Sequence, residues 1–262
     1  MRHARVLGFA GLAVAALAAA VAIAQTEVVP LPEAEPVQTA PRDASATAAL
    51  AKAKGGDPEA GANKAAACAA CHGVDGNASD PTLYPRLAGQ SERYVAHQLA
   101  LFKSGERVNA IMQPYAAPLS AQDMRDIGAY YATQVSGAGL ADDTAIAEGP
   151  NAGKKFYEVG QALFRQGDAA RGIPACLACH GPSGAGNPGP AYPRVAGQQS
   201  WYTARRLQEY RAGTTAERDP THFNMMAAVA KQLTDEEIQS LATYMQGLHT
   251  RTAAAPAATA AR

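Results

Sequence analysis

The sequence predicts an all-α protein built from two copies of one small helical domain. Three observations carry that expectation: an internal repeat, apolar residues recurring at helical spacing with no period-two alternation, and few β-branched runs. The repeat is the strongest. Cys68 and Cys176 stand 108 apart, and the same offset joins "YPRLAGQ" at 84–90 to "YPRVAGQ" at 192–198, Tyr94 to Tyr202, Leu99 to Leu207 and Gly105 to Gly213. A six-residue insertion then lengthens the offset to 114, pairing Met112 with Met226, Leu119 with Leu233 and Tyr130 with Tyr244.

In chain order, residues 1–24 read as an export signal. Arg2 and Arg5 precede an apolar run from Val6 to Ile23, and Ala22-Ile23-Ala24 offers a small-x-small cleavage pattern. An uncleaved membrane anchor is the alternative, because the run is nearly long enough to span a bilayer; its alanine content favours cleavage. Residues 25–56, rich in Pro, Ala and Thr, read as a flexible tether. Domain 1 follows at 57–139, a linker at 140–152, domain 2 at 153–250 and a low-information tail at 251–262.

Within each copy three helices are expected. A first ends just before the cysteine pair, as in "GKKFYEVGQALFR" of the second copy. A middle helix begins near Ser91 or Ser200 and stops at Gly105 or Gly213. A closing helix begins at Ser120 or Thr234, with Thr234 and Glu237 in capping-box spacing. Met124, Ile127 and Tyr131 in one copy, and Ile238, Leu241, Met245 and Leu248 in the other, then share one face.

The 23 basic and 23 acidic residues cancel, which gives no footing for nucleic acid or an anionic membrane surface. Loss of Arg2 and Arg5 with the signal leaves a net charge of −2. Aromatic residues are only 6%, so either the domains are small or something other than side chains fills them.

All four cysteines fall in "CAACHG" at 68–73 and "CLACHG" at 176–181. Zinc bound by two Cys-x-x-Cys pairs wants them close in sequence, and here over a hundred residues separate them. A redox dithiol wants a thioredoxin-like α/β frame, and no strand pattern is present. Covalent haem attachment accounts for the histidine as well as the thiols. Cys68 and Cys71, with Cys176 and Cys179, would join two haem c groups, and His72 and His180 would be the proximal iron ligands. The haem rings would also supply the missing core.

The sixth ligand decides between a closed electron carrier and an open reactive centre. Met112 and Met226 match each other in the repeat, each seven residues before the Leu that opens the closing helix, in segments that read as irregular. Met225, the rival to Met226, aligns with Ile111; Met124 and Met245 lie on helical apolar stripes and read as core. His97 has no repeat partner, His222 reads as a solvated loop residue, and His249 stands near a frayed end. Arg205, Arg206 and Arg211 read as a basic, solvated helix face that could also dock a partner.

Pro85 and Pro193 lie thirteen residues after each histidine. Here the chain resembles the class I cytochromes c, which implies that these proline carbonyls accept the histidine N–H and that Leu87 and Val195 lie against the haem. Tyr94, Tyr202, Arg86 and Arg194 recur as groups bonding haem propionates would; ordinary packing and surface charge explain them as well. With tandem domains, the chain resembles the dihaem cytochrome c4 family over roughly residues 57–250.

That resemblance implies two domains packed face to face, haems near their interface, and one-electron transfer in the periplasm. The donor would be an upstream quinol-oxidising complex or dehydrogenase, and the acceptor a membrane terminal oxidase of a respiratory chain. Membrane association would come only through an uncleaved N-terminus or a partner. The long tether departs from the family and allows a tethered or complexed shuttle. Two alternatives stand beside this reading: a cytochrome subunit of a periplasmic dehydrogenase, and a dihaem peroxidase. The second is disfavoured by the paired methionines and by the lack of a second histidine with a match in the repeat.

Overall fold

Two helical lobes form around the two cysteine pairs, and each is closed by its last helix crossing the helix that precedes its cysteine pair. The computed structural model describes residues 45–213 and 222–249. The expected signal segment, residues 25–44 of the tether and the tail at 251–262 lie outside them, as does most of the six-residue insertion. Helices of lobe 1 are α1 (Ser45–Leu50), α2 (Pro58–Lys64), α3 (Ala69–His72), α4 (Glu92–Ser104), α5 (Met112–Ala116) and α6 (Ala121–Thr133). Those of lobe 2 are α7 (Phe156–Gln166), α8 (Leu177–His180), α9 (Ser200–Ala212), α10 (His222–Ala230) and α11 (Asp235–Gly247). Among the described residues there is no β-strand, only isolated bridges.

Local sequence explains most boundaries. Asp57 caps α2, accepting from the Glu59 and Ala60 amides, and Pro58 occupies the first turn, where its missing N–H costs nothing. Ser91 caps α4, while Gly105 and Gly213 end α4 and α9 in the left-handed conformation. Both closing helices carry complete capping boxes, Ser120 with Asp123 and Thr234 with Glu237.

The crossings of α2 with α6 and of α7 with α11 require glycine. A Cβ on Gly61 would stand 1.9 Å from the Asp126 carbonyl oxygen, and one on Gly160 would stand 2.0 Å from that of Ser240. Gly160 stands 99 residues after Gly61, although Cys176 stands 108 after Cys68. Lobe 2 therefore carries extra chain between its first helix and its cysteines. This is a small hairpin, bridged between Asp168 and Ile173, that tucks Ile173 into the core. The expectation that the first helix runs up to the cysteines is met only in lobe 1, where a 3-10 turn (Ala65–Cys68) leads straight on.

Two other boundaries shift. Residues 45–50 of the expected tether form α1, which lies on α4 and α6 with Ala46 buried and Leu50 packed on the lobe-1 core. Ala96 and Ala100 of α4 belong to the same buried cluster as Ala46. The expected linker is partly structural: Ile146 is buried in the lobe-2 core, and the Asp142 amide donates to Thr243 Oγ1 at 2.5 Å.

Candidate haem centres and the interface between them

In lobe 2 the single turn of α8 presents Cys176, Cys179 and His180 together, and Gly181, at φ +79°, breaks the helix immediately after. Lobe 1 repeats this with Cys68, Cys71, His72 and Gly73 at φ +77°. Both histidines are buried, and both place Nδ1 2.9 Å from a proline carbonyl oxygen, His72 on Pro85 and His180 on Pro193. With Nδ1–H donating there, the Nε2 lone pair is left for a metal. Burial lowers the pKa of both imidazoles, the carbonyl contact opposing it, so both are held in the neutral, ligating form.

Cys68 and Cys176 are not set up as thiolates. Burial pushes Cys176 up to about 11 and raises Cys68 as well. Among the described residues no group of three or more His, Cys, Asp or Glu side chains is placed to hold a metal ion.

A cleft of about 1370 Å³, its open mouth included, lies beside the lobe-2 motif. Cys176, Cys179, His180, Val195, Met226 and Leu233 line it, together with Gln90, Tyr94 and His97 from lobe 1. The donor set fits a haem c group: two thiols, a neutral imidazole held by its Nδ1, a thioether and aliphatic walls.

Met226 packs against the lobe-2 core, whereas Met225 is 40% exposed. Their lobe-1 counterparts divide in the same way. Met112 packs on the cluster that includes Cys68 and Leu87, and Ile111 is 64% exposed. The segments are helical, not irregular as expected: Met112 opens α5 and Met226 lies within α10. Met124 and Met245 are core, as their helical stripes implied.

The recurring tyrosines and arginines meet between the lobes. Burial, and Tyr202 beside it, raise the pKa of the Tyr94 hydroxyl; Tyr202 Oη accepts from Arg107 Nη2 at 3.0 Å. The Arg86 guanidinium donates to the Gly197 carbonyl across the interface, and Arg194 Nε donates to the Ala196 carbonyl at 3.2 Å. Burial lowers both guanidinium pKa values, and for Arg86 the nearby Arg194 adds to it. Arg206 and Arg211 are not simply solvated, pairing at 2.5 Å with Glu209 and Asp235 respectively, while Arg205 lies over Trp201 and Tyr202.

Sequence reasoning missed the residues that join the lobes. Gln90 Oε1 accepts from the Arg194 amide at 3.0 Å, and its Nε2 donates to the Arg194 carbonyl at 2.7 Å. Gln198 does the same for Arg86, at 2.8 and 3.0 Å. The available signal was the last letter of the repeated "PR-AGQ" segment. His222 is not a loop residue: it opens α10, sits 2.8 Å by Nε2 from the Pro190 carbonyl, and meets His97 of the other lobe in a tilted ring contact, centroids 5.1 Å apart. Trp201 Nε1 also crosses the interface, donating to the Pro81 carbonyl at 2.8 Å.

Two tandem helical domains, each with this constellation, define a dihaem c-type electron carrier, and comparison with known proteins agrees. The family model for cytochrome c matches residues 58–134 and 157–249. Cytochrome c4 of Pseudomonas aeruginosa is 41% identical over 194 residues, covering 74% of this chain and 90% of the relative. The crystal structure of reduced recombinant cytochrome c4 from Pseudomonas stutzeri superposes with a TM-score of 0.65 at 39% identity, covering 74% of this chain and all of that one. A thiosulfate dehydrogenase electron acceptor from Stutzerimonas stutzeri is 39% identical over 187 residues, covering 71% of this chain and 81% of the relative. The chain belongs to the dihaem cytochrome c4 family and carries two covalently bound haem c groups.

Proposed function

We propose that the protein is an exported one-electron shuttle, with Cys68 and Cys71, and Cys176 and Cys179, as thioether anchors. His72 with Met112, and His180 with Met226, are the axial pairs. The observation that carries this is the recurrence of the whole set at one geometry, histidine held on Pro85 or Pro193 and methionine packed inward, in both lobes. The haem supplies a ferrous–ferric couple with no other chemistry needed. The chain's own residues do the rest. The proline carbonyls would orient the imidazoles, Leu87 and Val195 would wall the rings from water, and Arg86, Arg194, Tyr94 and Tyr202, which recur in both lobes, would bond the propionates.

With a histidine and a methionine to hold each iron, neither centre would take up a substrate, which supports a carrier rather than a peroxidase. We assign residues 1–24 to a cleaved signal, which places the carrier in the periplasm, and lobe limits at 57–139 and 153–250. No helix among the described residues is long and apolar enough to cross a membrane. A quinol-oxidising complex or dehydrogenase reduces the carrier, and a membrane terminal oxidase accepts its electrons. A second reading has an observation of its own: the relative described as a thiosulfate dehydrogenase electron acceptor supports a periplasmic dehydrogenase as donor.

The axial assignment is tested by spectroscopic redox titration of Met112→Ala and Met226→Ala. Each should lower one midpoint potential sharply and open one centre to carbon monoxide. Unchanged potentials in both variants, or rapid stoichiometric carbon monoxide binding by the parent protein at neutral pH, would overturn it.

A further inference from the structure

Each proximal histidine donates to a carbonyl whose peptide group is gripped by the opposite lobe. In lobe 2 the chain of contacts runs from His180 Nδ1 to the Pro193 carbonyl at 2.9 Å, through that peptide bond to the Arg194 N–H, and on to Gln90 Oε1 at 3.0 Å. In lobe 1 it runs from His72 to the Pro85 carbonyl at 2.9 Å and from the Arg86 N–H to Gln198 Oε1 at 2.8 Å. We propose that Gln90 and Gln198 are positioning residues that tune the haem potential of the opposite lobe through these two peptide groups.

The physical argument is polarisation. A peptide whose N–H is donated to a good acceptor moves electron density onto its carbonyl oxygen, and hydrogen bonds linked in this way strengthen one another. A stronger carbonyl draws the histidine Nδ1–H more firmly and makes the imidazole a more basic ligand. A more basic ligand favours the ferric state and lowers the potential. Water does not dilute the effect, because Gln90, Gln198 and both histidines are buried. Loss of the glutamine acceptor should therefore raise the potential of the centre in the other lobe.

The two clamps are not equal. The Arg86 N–H also lies 3.0 Å from Gln199 Oε1. The counterpart of Gln199 in lobe 1 is Ser91, which is occupied in capping α4. Lobe 1's peptide thus keeps an acceptor when Gln198 is removed, whereas lobe 2's relies on Gln90.

The inference rests on His72 and His180 being ligands. If that reading fails, the parent protein lacks a histidine-ligated low-spin ferric spectrum. If only the clamp fails, the spectrum is intact and the potentials stay put. The experiment is potentiometric titration of the full-length holoprotein, with each centre assigned by the hyperfine-shifted haem methyl resonances of the ferric form. Gln90→Met should raise the lobe-2 midpoint and move the lobe-2 methyl and His180 resonances, with lobe 1 changing less. Gln198→Met should leave lobe 1 nearly unchanged, and Gln198→Met with Gln199→Met should raise it. Equal shifts of both centres, a shift confined to the substituted lobe, or no shift would overturn the proposal in favour of a purely adhesive clamp. Should Gln90→Met fail to fold, the mirror pair in lobe 2, read at lobe 1, decides by the same outcomes.

Discussion

In lobe 1 the capping carboxylate of the closing helix, Asp123, is paired at 2.6 Å with Lys64 of α2, which also reaches Asp126 at 2.6 Å. In lobe 2 the equivalent carboxylate, Glu237, is paired with Arg171, which stands not on the first helix but on the hairpin that follows it. Lobe 1 is further braced by α1, and lobe 2 by Ile146 and Ile173. Yet the histidine–carbonyl distance is the same in both lobes, and the inward methionine occupies matching positions. The residues that must meet a rigid flat ring are copied, while the scaffold that holds them has diverged. A ring dictates donor positions to within tenths of an ångström, whereas a brace needs only to bury area or pair a charge.

The comparison can be broken most forcefully at the helix crossings. Gly160→Val drives a branched side chain into the Ser240 carbonyl and should cost lobe 2 about 3 kcal/mol or more. Denaturant unfolding followed at each haem should show lobe 1 retained, and a variant that unfolds both lobes together would show that they are one cooperative unit.

Ala46→Asp places a carboxylate in the buried contact of α1 with the lobe-1 core. It should destabilise lobe 1 by about 2 kcal/mol and leave lobe 2 untouched. A melting profile identical to the parent's would remove α1 from the list of braces. Removal of either cap, Ser120→Ala or Thr234→Ala, should cost its own lobe about 1 kcal/mol.

The smallest effect is one of pH. Hydrogen bonds from Lys64 and then Ser120 pull Asp123 from 3.8 down to about 2. A depressed acid stabilises the fold above its unfolded pKa, so this contribution is complete above about pH 4 and fades as pH falls toward 2. Lys64→Met should flatten the acid limb of lobe-1 unfolding in that window. An unaltered limb would assign the acid sensitivity to another group.

Much of this was legible in the chain because it depends on local spacing. Cys68, Cys71 and His72 lie within one helical turn, so their convergence needs no tertiary information. Capping residues and terminal glycines announced the middle and closing helices for the same reason. The paired methionines were found through the repeat, which converts a long-range contact into a sequence coincidence. The helical state of the segments around Met112 and Met226 was missed, because α5 is short and α10 follows an insertion. The structured stretch at 45–50 was missed because Ala and Thr carry no pattern that distinguishes a docked helix from a tether.

The chemistry is written in the chain: two haem attachment motifs, their histidines, and the candidate residues that complete each iron. How the halves meet depends on folding. Gln90 and Gln198 were visible as repeated letters, but a glutamine at a loop end predicts no partner. Its amide finds the other lobe's backbone only because the two "PR-AGQ" segments are brought together by folding, and that meeting joins each histidine's carbonyl to the opposite domain.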